Sequence, residues 1–111
     1  AKARRLLDQF ASSRLKIVLD PANLFEVETP QNRQHIIEAA IDLLSGAIVM
    51  AHAKDRDAAG GFTTCGAGVI DFAHFIQSLR KAGFDGALVT HGLMATDALP
   101  VSAYLTALLQ A

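Results

Sequence analysis

Two rhythms of apolar residues alternate along this chain. The first is short and nearly continuous: Leu15-Lys16-Ile17-Val18-Leu19, Ala47-Ile48-Val49-Met50-Ala51 and Ala87-Leu88-Val89-Thr90. Runs of this length, rich in β-branched residues and bounded by turn-formers, predict strands buried on both faces, at 15–19, 47–51 and 87–90. The second rhythm recurs every three to four residues and predicts helices. Leu6, Leu7 and Phe10 mark one over 2–11. Ile36, Ile37, Ala40, Ile41 and Leu44 mark a second, with His35 beside the stripe. Phe72, Phe75, Ile76 and Leu79 mark a third, and Val101, Tyr104, Leu105 and Leu108 a fourth over 100–109.

Punctuation agrees with the periodicity. Thr29-Pro30 places a capping hydroxyl before a proline suited to the first helical turn. Asp71 is the expected N-cap of the third helix, with Ile70 stapled onto Phe75. Gly83 supplies a left-handed C′ residue, and Phe84 packs back on Leu79. The stretches 58–64 and 92–99 read as loops, and Pro100 as the start of the last helix. Leu24 to Glu28 reads as a loop with Glu26 and Glu28 solvated, and His74 as a solvated surface histidine.

A helix followed by three strand–helix units means an α/β fold with parallel strands and right-handed crossovers. A complete (β/α)8 barrel needs about 250 residues, and this chain has 111. It is therefore expected to be a small open α/β domain or a portion of a barrel, with 1–111 as a single segment. The chain has no initiator methionine and opens in mid-helix, as a piece of something longer would.

Each predicted strand stops at a polar residue: Asp20, His52 and His91. The proline after Asp20 disfavours helical backbone at that position and holds its carboxylate at the strand exit. Matching ends of neighbouring parallel strands lie about 4.8 Å apart, so the three side chains can converge. One carboxylate and two imidazoles are good ligands for a divalent metal. Taken singly, each reads more readily as an ordinary strand-end residue capping its loop; three at one structural phase favour a metal. Lys54, Asp55, Arg56 and Asp57 crowd the loop after His52. Lys54 and Asp55 read equally as a solvated ion pair or as groups serving the site.

Composition narrows the function. Ten Lys and Arg balance eleven Asp and Glu for a net charge of −1, which offers no pull toward nucleic acid or anionic membrane. No apolar run approaches the length of a membrane span. The single cysteine, Cys65, cannot form an internal disulfide and fits a reducing, cytoplasmic setting.

The ordered set Asp20-Pro21-Ala22-Asn23-Leu24, His52-Ala53-Lys54-Asp55, Gly66-Ala67-Gly68-Val69-Ile70-Asp71-Phe72 and Gly83-Phe84-Asp85-Gly86-Ala87-Leu88-Val89 resembles the C-terminal portion of the xylose isomerase-like TIM barrels, the sugar phosphate isomerase/epimerase group. The resemblance implies a partial (β/α)8 barrel, roughly its last three βα units preceded by a helix. It also implies a divalent metal (Mn, Mg, Zn or Co) held by an earlier-strand Glu, an Asp, a His and a final Glu. Asp20 and His52 match the Asp and His. The final Glu position falls on His91, a departure that favours a softer metal such as zinc. Ala67 replaces a frequent Glu, and the earlier-strand Glu has no counterpart.

The activity so implied is metal-dependent proton transfer next to the carbonyl of a sugar or sugar phosphate. Asp20, His52 and His91 would hold the metal, and His91 and Lys54 would serve catalysis. Asn23, Lys54, Asp55 and Arg56 would contact substrate, with Asp55 alternatively orienting Lys54 or a ligand histidine. A second possibility is a non-catalytic or degenerate barrel piece. An abasic-site endonuclease of the same superfamily is disfavoured. Those enzymes carry a further His where Asn23 stands and an Asp-x-His after the metal histidine, and this chain has neither. With both sheet edges open and one apolar face uncovered, the chain is expected to associate with the missing N-terminal part of the barrel or as a homo-oligomer joined through its strands. The isolated chain is expected to be a weak enzyme at best.

Overall fold

The computed structural model describes residues 2–111. Along the chain come α1 (Lys2–Phe10), β1 (Ile17–Leu19), a 3₁₀ turn (Pro21–Asn23), α2 (Pro30–Leu44), β2 (Ile48–Ala53) and a short hairpin of β3 (Asp55–Arg56) and β4 (Phe62–Thr63). Then follow α3 (Phe72–Lys81), β5 (Ala87–Thr90), a second 3₁₀ turn (Ala95–Asp97) and α4 (Ala98–Gln110). The three long-range strands form one parallel sheet in the order β1-β2-β5. The expected α/β architecture with parallel strands is thus the observed one.

The helix ends follow the chemistry of their residues. Thr29 caps α2, its hydroxyl accepting the Asn32 N–H at 3.3 Å. Asp71 caps α3 by accepting the His74 N–H at 3.0 Å. At the other end of α3 the Phe84 N–H donates to Leu79 and the Gly83 N–H to Arg80, with Gly83 at φ +80°. This is the paired 6→1 and 5→2 closure of a Schellman ending.

One face of the sheet is covered. Leu19, Ala51 and Ala53 are buried with Ile37, Ile41 and Leu44 of α2, Phe72, Phe75 and Leu79 of α3, and Val101 and Leu105 of α4. The small Ala51 and Ala53 let the helices approach the middle strand closely. The other face is open: Val18 is 50% and Val89 37% exposed. Both β1 and β5 are edge strands. Leaving Val18 and Val89 this exposed forgoes roughly 1 kcal/mol each relative to covering them.

Several boundaries differ from the sequence reading. β1 is shorter, because Leu15 and Lys16 precede the ladder. β2 runs on through His52 to Ala53, so His52 lies inside the strand rather than beyond it. Ile17 is level with Ile48 but Val18 with Met50, which leaves Val49 without a partner on β1. The extra residue is a bulge in the middle strand; the strand end was read too early because the apolar run stops at the polar His52. The presumed loop 58–64 contains β4, which pairs antiparallel with β3. α4 begins at Ala98, two residues before Pro100, since proline is tolerated anywhere in the first turn, where N–H groups have no helical partner. On α1 only Leu7 is buried, while Leu6 and Phe10 of the expected stripe are exposed. Glu28 is only half-buried in solvent terms, with its side chain accepting from Asn32 at 3.1 Å. His74 is not a solvated histidine: its Nε2 lies 2.6 Å from Glu38 Oε1 and bridges α3 to α2.

Candidate metal centre

Side chains alternate along a strand, so the open face can be followed residue by residue. Val18 leads to Asp20, Met50 to His52 and then Lys54, and Val89 to His91. Register then brings them to one end. Leu19 lies beside Ala51, which puts Asp20 beside His52, and His52 pairs with Val89. The His91 N–H reaches Ala53 O at 3.4 Å, fixing His91 one step further on, near Lys54. All four side chains stand at the C-terminal ends of the parallel strands, on the face the helices leave uncovered.

The three expected ligands converge. One carboxylate oxygen of Asp20 and one ring nitrogen from each of His52 and His91 lie within 4.8 Å of one another. Asp20 is buried, His52 half-buried and His91 exposed. Asp20 is aimed by its own turn: extended at φ −120° before Pro21, it accepts the Ala22 N–H on Oδ1 at 3.0 Å. That leaves Oδ2 facing His52 Nδ1 at 3.5 Å. The two imidazoles stack, with centroids 4.9 Å apart and planes inclined by 11°. Ligand atoms around a tetrahedral or octahedral ion sit about 3–3.5 Å apart, so small ring rotations close the set. One hard oxygen with two borderline nitrogens fits a divalent ion such as zinc, manganese or cobalt.

Lys54 belongs to the same constellation. Its ammonium is 3.5 Å from Asp20 Oδ2 and 3.9 Å from the centre of the Phe62 ring. It is buried rather than solvated, and its ion-pair partner is Asp20, not Asp55. Phe62 carries no local signal of this role beyond being an aromatic after Gly60-Gly61. Together with Thr63 and Thr64, those glycines could have been read as a hairpin turn followed by a strand.

Asp55 and Arg56 are placed elsewhere than expected. Asp55 is fully buried, and its carboxylate accepts four backbone N–H groups. Oδ1 takes Arg56 at 2.9 Å and Ile70 at 3.0 Å, while Oδ2 takes Gly66 at 3.1 Å and Gly68 at 3.0 Å. It therefore orients neither Lys54 nor a ligand histidine and is closed to substrate. Gly68 is required by this wrap: a Cβ there would lie 2.1 Å from Arg56 O. The Arg56 guanidinium donates to Ala22 O at 2.8 Å and to Gly60 O, and lies 4.1 Å from the Phe62 ring centre. It pins the hairpin to the turn after Asp20 instead of facing a ligand. Asn23 is exposed in that turn. Cys65 is buried, and burial and the nearby Asp55 carboxylate push its thiol up to about 12.

Comparison with known proteins agrees with this fold. The model of a family described as "Xylose isomerase-like TIM barrel" matches residues 1–98. A crystal structure described as a xylose isomerase domain protein from Planctomyces limnophilus superposes with a TM-score of 0.67 at 20% identity. The match covers 99% of this chain and 42% of that one, so this chain spans less than half the length of that neighbour. No curated protein matches the chain. No helix among the described residues is long and apolar enough to cross a membrane.

Proposed function

Since this chain belongs to the xylose isomerase-like TIM barrel family, we propose that it supplies the Asp20–His52–His91 part of a divalent-metal centre for proton transfer beside the carbonyl of a sugar or sugar phosphate. What supports this most is the convergence of those three ligand atoms within 4.8 Å at the C-terminal end of a parallel sheet, the end at which barrels of this kind carry their chemistry. A metal held there would polarise a carbonyl and its neighbouring hydroxyl and so acidify the adjacent C–H.

The chain's own groups have separate tasks. Asp20 is held rigid by its turn and presents a single oxygen. Asn23 and Lys54 offer N–H donors to substrate oxygens. His91, exposed at the strand end, would give one ring nitrogen to the ion and keep the other to hydrogen-bond or exchange a proton with a bound ligand. The open sheet face and edges would be covered by further barrel strands or by a second copy of the chain, which would also complete the ligand set.

Hydrogen exchange tests the proposal without requiring full turnover. In deuterium oxide with a divalent ion and a ketose phosphate, the proton beside the carbonyl should exchange, as followed by NMR. It should do so far more slowly than the usual enzymatic range of about 1–10³ per second. The exchange should depend on the ion and vanish in Asp20→Asn. Exchange that ignores both the ion and that substitution would contradict the proposal.

A further inference from the structure

The open face carries one positive charge that a cation site would be better without. Lys54 Nζ stands 3.5 Å from Asp20 Oδ2, the oxygen that also faces His52 Nδ1 at 3.5 Å. The other oxygen, Oδ1, is occupied by the Ala22 N–H. Oδ2 is thus the oxygen that Asp20 has left for an ion, and Lys54 already neighbours it.

This ammonium is not a loose surface group. The Lys54 side chain is 11% exposed. Its stem runs past Gly92, where a Cβ would come within 3.2 Å of Lys54 Cδ. Gly92 sits at φ +69°, so the residue that leaves room for the stem also suits glycine on backbone grounds. The head lies over Phe62, 3.9 Å from the ring centre, and the face of an aromatic ring is a favourable seat for a cation.

We propose that Lys54 is a resident counter-cation that competes with the divalent ion for Asp20, so that it sets the affinity of the site for metal. This rests on Asp20, His52 and His91 being metal ligands. A doubly charged ion arriving at Oδ2 meets an ammonium a few ångströms away in a partly buried setting, where like charges repel strongly. The ammonium yields along the Phe62 face. Once displaced it is a hydrogen-bond donor without a carboxylate partner, available to an oxygen of the substrate. Metal entry and the freeing of Lys54 are then one event, and substrate follows the metal.

The opposite role is distinguishable. If Lys54 merely braced Asp20 in position, its removal would loosen the carboxylate and weaken metal binding. The test is zinc affinity, read by competition with a chromophoric chelator, for the wild-type chain, Lys54→Met and Lys54→Gln. Methionine keeps an apolar stem without the charge, and glutamine is a second neutral side chain of different shape. Thermal melts of the metal-free proteins verify folding, and either variant alone carries the test if the other fails to fold. Neutral variants should bind zinc about tenfold tighter or more. Unchanged or weaker binding overturns the proposal. Asp20→Asn separates the two levels: if it lowers wild-type affinity while the Lys54 variants do not raise theirs, only the role of Lys54 fails. If neither the wild-type chain nor the Lys54 variants bind zinc, the metal centre fails and this proposal with it.

Discussion

Asp55 and Lys54 are adjacent residues with opposite assignments, and the strand explains why. Lys54 continues the face of His52 and reaches the site. Asp55 turns to the other side and becomes the hub of the loop 66–70. A carboxylate accepting four N–H groups in a buried position is costly to replace, because each orphaned donor loses both water and its partner. Asp55→Ala should therefore destabilise the fold by about 3–5 kcal/mol, measured by urea denaturation. A loss below about 1 kcal/mol would mean that the loop finds other acceptors. The sequence showed that Lys54-Asp55 was either an exposed pair or something more specific. It could not show which, because the decision lies with Gly66, Gly68 and Ile70, more than ten residues on. The turn that aims Asp20, by contrast, was legible locally, since Pro21 constrains it directly.

At the scale of elements, α2 and α3 are joined by a polar contact as well as by their apolar stripes. His74 Nε2 meets Glu38 at 2.6 Å across the two helices. The histidine's hydrogen bond and charge hold the Glu38 carboxyl below its ordinary value of 4.5. A group whose folded pKa is depressed contributes stability above its unfolded value, and that contribution is lost as pH falls through the folded value. The contribution of this pair should therefore be complete above about pH 4.5 and disappear in more acidic solution. Thermal melts from pH 6 down to pH 3 should show a shallower acid decline in Glu38→Gln than in wild type. Parallel declines would show that the contact carries no pH-dependent stability. Periodicity placed α2, α3 and all three main strands, because each buries a continuous stripe or run. It missed the hairpin β3–β4, whose two-residue strands bury too little to leave a pattern. It also put His52 past its strand, because the continuous apolar run ends at that polar residue while the ladder runs on to Ala53.

For the molecule as a whole, three βα units present one buried face, one open face and two free edges, and the candidate ligands sit on the open side. That arrangement accounts for a site that is convergent yet incomplete: Asp20, His52 and His91 are brought together by adjacent strands, and the strands that would close the ring are not among these residues. The parallel sheet and its direction were readable from the sequence. The share of a barrel that it represents became measurable only by superposition on a chain of which it covers 42%. The most direct measurement is a cobalt(II) titration followed by visible absorption, with the wild-type chain beside Asp20→Asn, His52→Ala and His91→Ala. Saturable binding should appear with bands typical of nitrogen and oxygen ligation, and each substitution should weaken it by about tenfold or more. Absence of binding, or binding that survives all three substitutions unchanged, would contradict a metal centre at this end of the sheet.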